Sequence, residues 1–240
     1  MSDTQFQQKI NDAGVAFHPT SWTLILNAGE GSETSLAEFC RAYWHPLYAY
    51  ARRSGKSSAD AQDLSQGFFA HLLRKETLQQ AEPGRGRFRN YLLILFKRYM
   101  LNEWKRDNAQ RRGGGQVKVD YEKAEFSLEE QTDLSPDEAY QRAWALVILD
   151  QTMTELEQRF KDRDEAEKFV IMKSFLDGKA ESTYREGAEQ VGMTENAFTV
   201  AVHRLRKDFA KLLRRQVAAT LENPDEVQDE LQQLSVLLRG

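Results

Sequence analysis

Three arginines spaced by single residues, Arg85, Arg87 and Arg89, open a segment that interleaves cations with rings: Phe88, Tyr91, Phe96, Lys97, Arg98, Tyr99, Trp104, Lys105 and Arg106. Cations meet phosphates and rings stack on unpaired bases, so this mixture suits single-stranded nucleic acid. Tyr91 and Phe96 fit core positions better than contact positions by residue type. The arginines around Gly86 hold no evident structural duty. A second group, Asp60, Gln62, Asp63 and Gln66, lies beside Phe68 and Phe69. Its carboxylates would repel DNA, which leaves a protein partner or an ordinary solvated helix face. A third group lies between Thr183 and Leu213, where Glu195, Asn196, Thr199, His203, Arg206 and Lys207 fall away from the buried stripe Phe198, Val202, Leu205 and Phe209.

Catalytic constellations are missing from the pattern. His18, His45, His71 and His203 are scattered, and none has a partner four residues on suited to a metal pair. Gly84-Arg85-Gly86 lacks the Gly-Lys-Ser/Thr ending of a phosphate loop and the strand before it. Acid pairs such as Asp60/Asp63 and Glu129/Glu130 read as solvated or partner-facing groups. One cysteine, Cys40, excludes an internal disulfide framework and a cysteine-based zinc site. No cofactor is expected, and no enzymatic activity.

Charge is segregated along the 240 residues, and the net value of -4 hides this. Residues 74–112 carry eleven bases against four acids, and 113–140 carry two against eight. Residues 184–215 are basic again, with seven bases including Arg185, Arg204, Arg214 and Arg215 against four acids. Beyond 215 five acids face Arg239 alone. Two basic blocks, an acidic linker and an acidic tail imply two polyanion-facing surfaces on one chain.

The elements that must position these groups are helical. Few prolines and long runs free of Gly and Pro point to an all-α chain. A mean hydropathy of -0.66 implies small cores. The reading is an N-terminal extension over 1–34, a helical domain over 35–112, an acidic linker over 113–134, a helical domain over 135–215 and an acidic tail helix over 216–240. Helices are expected near 35–54, interrupted or tightened at Pro46, then at 59–74 and 88–112. Gly113-Gly114-Gly115 ends the third. Ser135-Pro136-Asp137-Glu138 restarts a long helix to about Phe160, with Ser as cap, Pro first and Glu closing the box. Another helix follows across 164–176. Thr183 with Glu186, Gly192 in the turn and Thr194 as cap then mark a short helix, a tight turn and a basic second helix. That is a helix-turn-helix, which lays its second helix in the major groove. An ordinary helical hairpin is the plain alternative, and local positive charge weighs against it. With no signal pattern and no long apolar run, a cytoplasmic protein without membrane insertion is expected.

The ordered motifs Asp60-Ala-Gln-Asp-Leu-Ser-Gln-Gly-Phe-Phe, Phe88-Arg-Asn-Tyr-Leu with its basic helix, Ser135-Pro136-Asp137-Glu138 and the helix-turn-helix resemble a bacterial sigma factor of the extracytoplasmic-function (ECF) group in the sigma-70 family. The resemblance covers roughly residues 39–213 and implies a region 2-like and a region 4-like domain. Asp60, Gln62, Asp63, Gln66 and Phe69 then match the part that docks on the clamp of core RNA polymerase. Arg85, Arg87, Phe88, Arg89, Asn90, Lys97, Arg98, Asn102, Trp104, Lys105 and Arg106 match the part that melts the −10 element and captures unpaired bases. Arg185, Thr194, Glu195, Asn196, Thr199, His203, Arg204, Arg206 and Lys207 match the reader of the duplex −35 element. The polymerase flap is implied as a further contact, an anti-sigma factor as a regulatory partner, and the linker would thread toward the RNA exit path. Arg98 and Thr199 stand where the family commonly has Asn and a basic residue, which bears on the bases read. Gly187 replaces a bulky aliphatic residue and predicts loose packing of the motif's first helix.

The competing function from residue pattern alone is a dimeric helix-turn-helix regulator binding repeated half-sites. The aromatic-basic segment argues against it, because a sensing domain would not need one. A helical adaptor that binds only protein is disfavoured by both basic blocks.

Overall fold

Capping residues and glycines cut the chain into helices. A computed structural model describes residues 33–74, 87–112, 134–176, 180–221 and 223–239. Among these residues the protein forms eight α-helices and one 3-10 turn, with no strand. The N-terminal extension, the acidic linker and the loop carrying Arg85 lie outside the described residues.

Helix α1 (Glu33–Arg53) runs unbroken through Pro46, against the expected interruption. A proline in a helix interior costs about 3 kcal/mol. Phe39, Tyr43, Leu47 and Ala51, each four residues after the last, are buried on both sides of it, and their burial offsets that cost. Helix α2 (Ser58–Arg74) starts at Ser57, whose hydroxyl accepts from the Asp60 amide at 3.1 Å and donates to the Asp60 carboxylate at 2.7 Å. Helix α3 (Phe88–Arg112) sends Phe88, Leu92, Leu93 and Phe96 inward. The rings lock these helices together: Phe39 meets Phe69 edge-on at 5.7 Å, and Phe68 meets Phe96 at 5.0 Å.

Helix α4 (Pro136–Lys161) begins with the capping box read from the sequence, Ser135 and Glu138 bonding each other's backbone amides. It does not serve one core alone. Tyr140, Trp144 and Ile148 complete the core built by α1, α2 and α3, while Leu156 belongs to a second core. At 1.5 Å per residue α4 is about 39 Å long, enough to reach both. Asp164, with φ 58°, turns the chain sharply into α5 (Ala166–Lys173), which is shorter than the sequence pattern suggests. Asp tolerates this left-handed geometry better than most residues.

The second core gathers Phe169, Met172, Phe175, Ala188, Phe198, Val202, Leu205 and Leu212. Helix α6 (Tyr184–Gln190) carries the Thr183–Glu186 capping box, and α7 (Glu195–Ala219) is capped by Thr194. Gly192 between them has φ +66°, the conformation glycine adopts without penalty. Gly187 corrects the expectation of loose packing. It is buried, and a Cβ there would stand 2.7 Å from the Phe198 ring and 3.0 Å from Phe175. The two rings fill the space an aliphatic side chain would take.

Helix α8 (Val227–Arg239) follows a 3-10 turn at Pro224–Glu226. It lies against α4 and α7 and delivers Val227 and Leu234 to the first core, beside Val217 of α7. Glu155 ties α4 to α7 by pairing with Arg215 and accepting from Gln216 at 2.9 Å. Burial pushes its carboxyl up, but Arg215 and Arg159 outweigh that and hold it below the usual range.

Candidate nucleic-acid interface

Helix α3 positions the aromatic-basic segment. Its core face takes Phe88 and Phe96, so Phe96 is the core ring its residue type suggested. Arg98, Asn102 and Lys105 recur at i+4 and i+7 and are exposed on the opposite side, with Arg106 next to them and paired to Glu103. Two exposed apolar side chains share that face, Ile94 and Leu101. Ile94 lies in the apolar run 91–96, which reads as core from the sequence alone. Among the described residues, then, the apolar groups on the outer face of α3 are aliphatic, and Trp104 is half-buried. Lys97 pairs with Asp137 at 2.6 Å and sits 5.4 Å from the Tyr50 ring.

The start of α3 departs from the expectation. Phe88 and Arg89, assigned to DNA on sequence, are buried at 2% and 4% exposure. Arg89 lies 4.1 Å over the Trp144 ring, donates to Gln141 at 2.8 Å and pairs with Glu230 at 2.5 Å. Arg87 is partly exposed and pairs with the other oxygen of Glu230 at 2.8 Å. Asn90 is exposed and accepts from Gln141. The reason is α8: its fully buried Glu230 compensates two guanidiniums that composition alone would leave in water.

The acidic and amide group on α2 keeps most of its surface. Asp60, Gln62 and Asp63 are exposed and Gln66 is partly so. Phe69 is the exception, 7% exposed and packed on Phe39, so it belongs to the core rather than to a docking face. Cys40 is buried as expected of a small core residue, and burial pushes its thiol up to about 12.

Helix α7 presents Asn196, Thr199, Val200, His203 and Lys207 along one stripe at i+3 and i+4 spacing, opposite Phe198, Val202 and Leu205. Glu195 and Arg204 are exposed beside it, and Arg185 on α6 pairs with Glu189 at 3.2 Å. Thr194 is committed to the cap, accepting from the Ala197 amide. Arg206 is a correction. Its guanidinium donates to the carbonyls of Phe175, at 2.6 Å, and Leu176, at 3.3 Å, closing the end of the α5 segment instead of facing outward.

Among the described residues no group of His, Cys, Asp or Glu could hold a metal, and no helix is long and apolar enough to cross a membrane. No curated protein and no solved structure matches the chain. A family comparison does: residues 39–110, which span most of α1 and all of α2 and nearly all of α3, match sigma-70 region 2. The likeness is to that one region of the sigma-70 family and covers α1 to α3, less than half of the chain.

Proposed function

We propose that this chain is a sigma factor of the ECF group that brings core RNA polymerase to promoters with distinct −35 and −10 elements and helps open the latter. The observation that carries the reading is the region 2 match over 39–110 on the same chain as a capped helix-turn-helix with an exposed polar stripe. Helix α2 offers Asp60, Gln62, Asp63 and Gln66 to the polymerase clamp. The outer face of α3, with Arg98, Asn102, Lys105 and Arg106, takes the melted strand together with Arg87. The α7 stripe of Asn196, Thr199, His203 and Lys207 reads duplex DNA in the major groove.

The energetics suit this division. Each stacking step broken on opening costs about 1.4 kcal/mol. Captured bases and phosphate contacts offset that, and joining two weak DNA contacts through the polymerase raises their effective concentration. The test is co-elution with core polymerase. A one-to-one complex is expected, and Asp63→Arg with Gln66→Arg should abolish it. A double variant that binds like the wild type would sink the role of α2. A chain that forms dimers on duplex repeats and ignores polymerase would favour a classical regulator.

A further inference from the structure

Glu230 has no exposed surface, and its two carboxylate oxygens each pair with one arginine at the mouth of α3, Oε1 with Arg89 and Oε2 with Arg87. Gln233, three residues further on, accepts from Arg87 as well. Guanidiniums pair with phosphate as they do with carboxylate, so the two arginines that hold Glu230 have the chemistry to hold a backbone phosphate in its stead. The rest of α8 attaches through an apolar seam and one bond from α7, donated by Arg214 to Gln228 at 3.1 Å. Val227 and Leu234 are buried, Leu231 and Leu238 are partly covered, and Val236 is 67% exposed.

We propose that α8 is a built-in latch, an acidic helix that closes the α3 entrance to nucleic acid and leaves when DNA takes its place. The inference rests on the reading of α3 as a DNA surface. Two features favour a releasable contact over a permanent strut. Burying a charge triad gains little net free energy, because desolvation cancels most of the attraction. Release also returns Arg87 and Arg89 to a second anionic partner, so neither charge is stranded. Opening has a further consequence. Because α8 packs on both α4 and α7, its departure loosens the joint between the first core and the helix-turn-helix. The two DNA-facing helices could then adjust their separation.

A latch closed about nine-tenths of the time lowers apparent affinity about tenfold. The experiment uses the full chain, a labelled single-stranded oligonucleotide of mixed sequence read by fluorescence anisotropy, and amide hydrogen exchange of α8. Glu230→Lys should speed exchange across Val227–Arg239 and tighten DNA binding about tenfold. Arg87→Ala placed on top should remove most of the gain. Glu226→Lys, at an exposed site just before α8, makes the same charge change without touching the arginines and should move affinity less than about twofold. Should Glu230→Lys fail to fold by circular dichroism, Glu230→Gln carries the test with a smaller gain of the same sign.

Equal gains from Glu226→Lys and Glu230→Lys would overturn the latch, reducing it to bulk charge. Faster α8 exchange with unchanged affinity would also overturn it, and if Arg87→Ala still weakened binding, the DNA reading of α3 would survive. Arg87→Ala without effect in either background would remove both.

Discussion

Helices α3 and α7 are each 25 residues long and each carry a basic segment, yet they present it in opposite ways. Helix α7 shows its polar stripe openly, opposite a clean apolar one. At the start of α3 Arg89 is buried, and Arg87 just before it is tied down, by a residue more than a hundred positions away, while the later turns expose cations. The lesson is about range. The face of α7 follows from local period and caps, so it stands open whatever the rest of the chain does. The face of α3 depends on what α8 is doing, and its availability is a property of the whole fold.

The strongest test of that dependence is Trp144→Ala. Trp144 fills the first core from α4 and lies under the Arg89 guanidinium. Truncating a buried tryptophan costs about 3–5 kcal/mol, and urea unfolding should read a loss of that order. Helix α8 should exchange faster in the folded variant, since Arg89 loses its platform. A loss under about 1 kcal/mol would break the claim that α4 is part of the first core.

A smaller effect separates structure from recognition within α7. Arg206→Ala removes two charge-assisted bonds to carbonyls and should cost about 1.5–3 kcal/mol of stability. His203→Ala, on the exposed stripe, should leave stability within about 0.5 kcal/mol and weaken binding to duplex promoter DNA about tenfold. The opposite pattern would exchange their roles and make α7 less open than α3.

These contrasts mark where the sequence was legible. Ser135 with Glu138, Thr183 with Glu186, Thr194 and Gly192 announce helix ends through chemistry contained within four residues, and the helices start where they say. The stripe Phe198, Val202 and Leu205 is likewise a matter of spacing. Arg206 was misplaced because its partners lie on another element, some thirty residues back. Phe69, Phe88 and Arg89 escape a local reading for the same reason, since a side chain looks the same in sequence whether or not a neighbouring helix covers it. Gly187 failed differently: a missing side chain reads as slack, while two phenylalanine rings had already taken its volume.

The two capping boxes extend the comparison to pH. Hydrogen bonds from Ser135 hold the Glu138 carboxyl below the usual carboxylate range, and those from Thr183 do the same for Glu186. A depressed value means the folded state favours the carboxylate. The contribution is therefore present above the ordinary pKa of 4.5 and fades as pH falls through the folded-state values. Both groups are exposed, so the effect on global stability is small. It should nevertheless differ between the helices. The start of α4 is also held by Arg53, which donates to the Leu134 carbonyl at 2.9 Å, and by the Lys97–Asp137 pair. Helix α6 has seven residues and depends far more on its cap. As pH falls below the ordinary carboxylate range, amide exchange should therefore rise at Thr183 and through α6 before it rises at Ser135. Glu186→Gln should flatten the pH dependence at α6 and leave α4 as it was. Equal acid sensitivity at both sites would mean that the packing of α4 adds nothing to its cap, and the contrast between a buried first region and an open second one would lose its local basis.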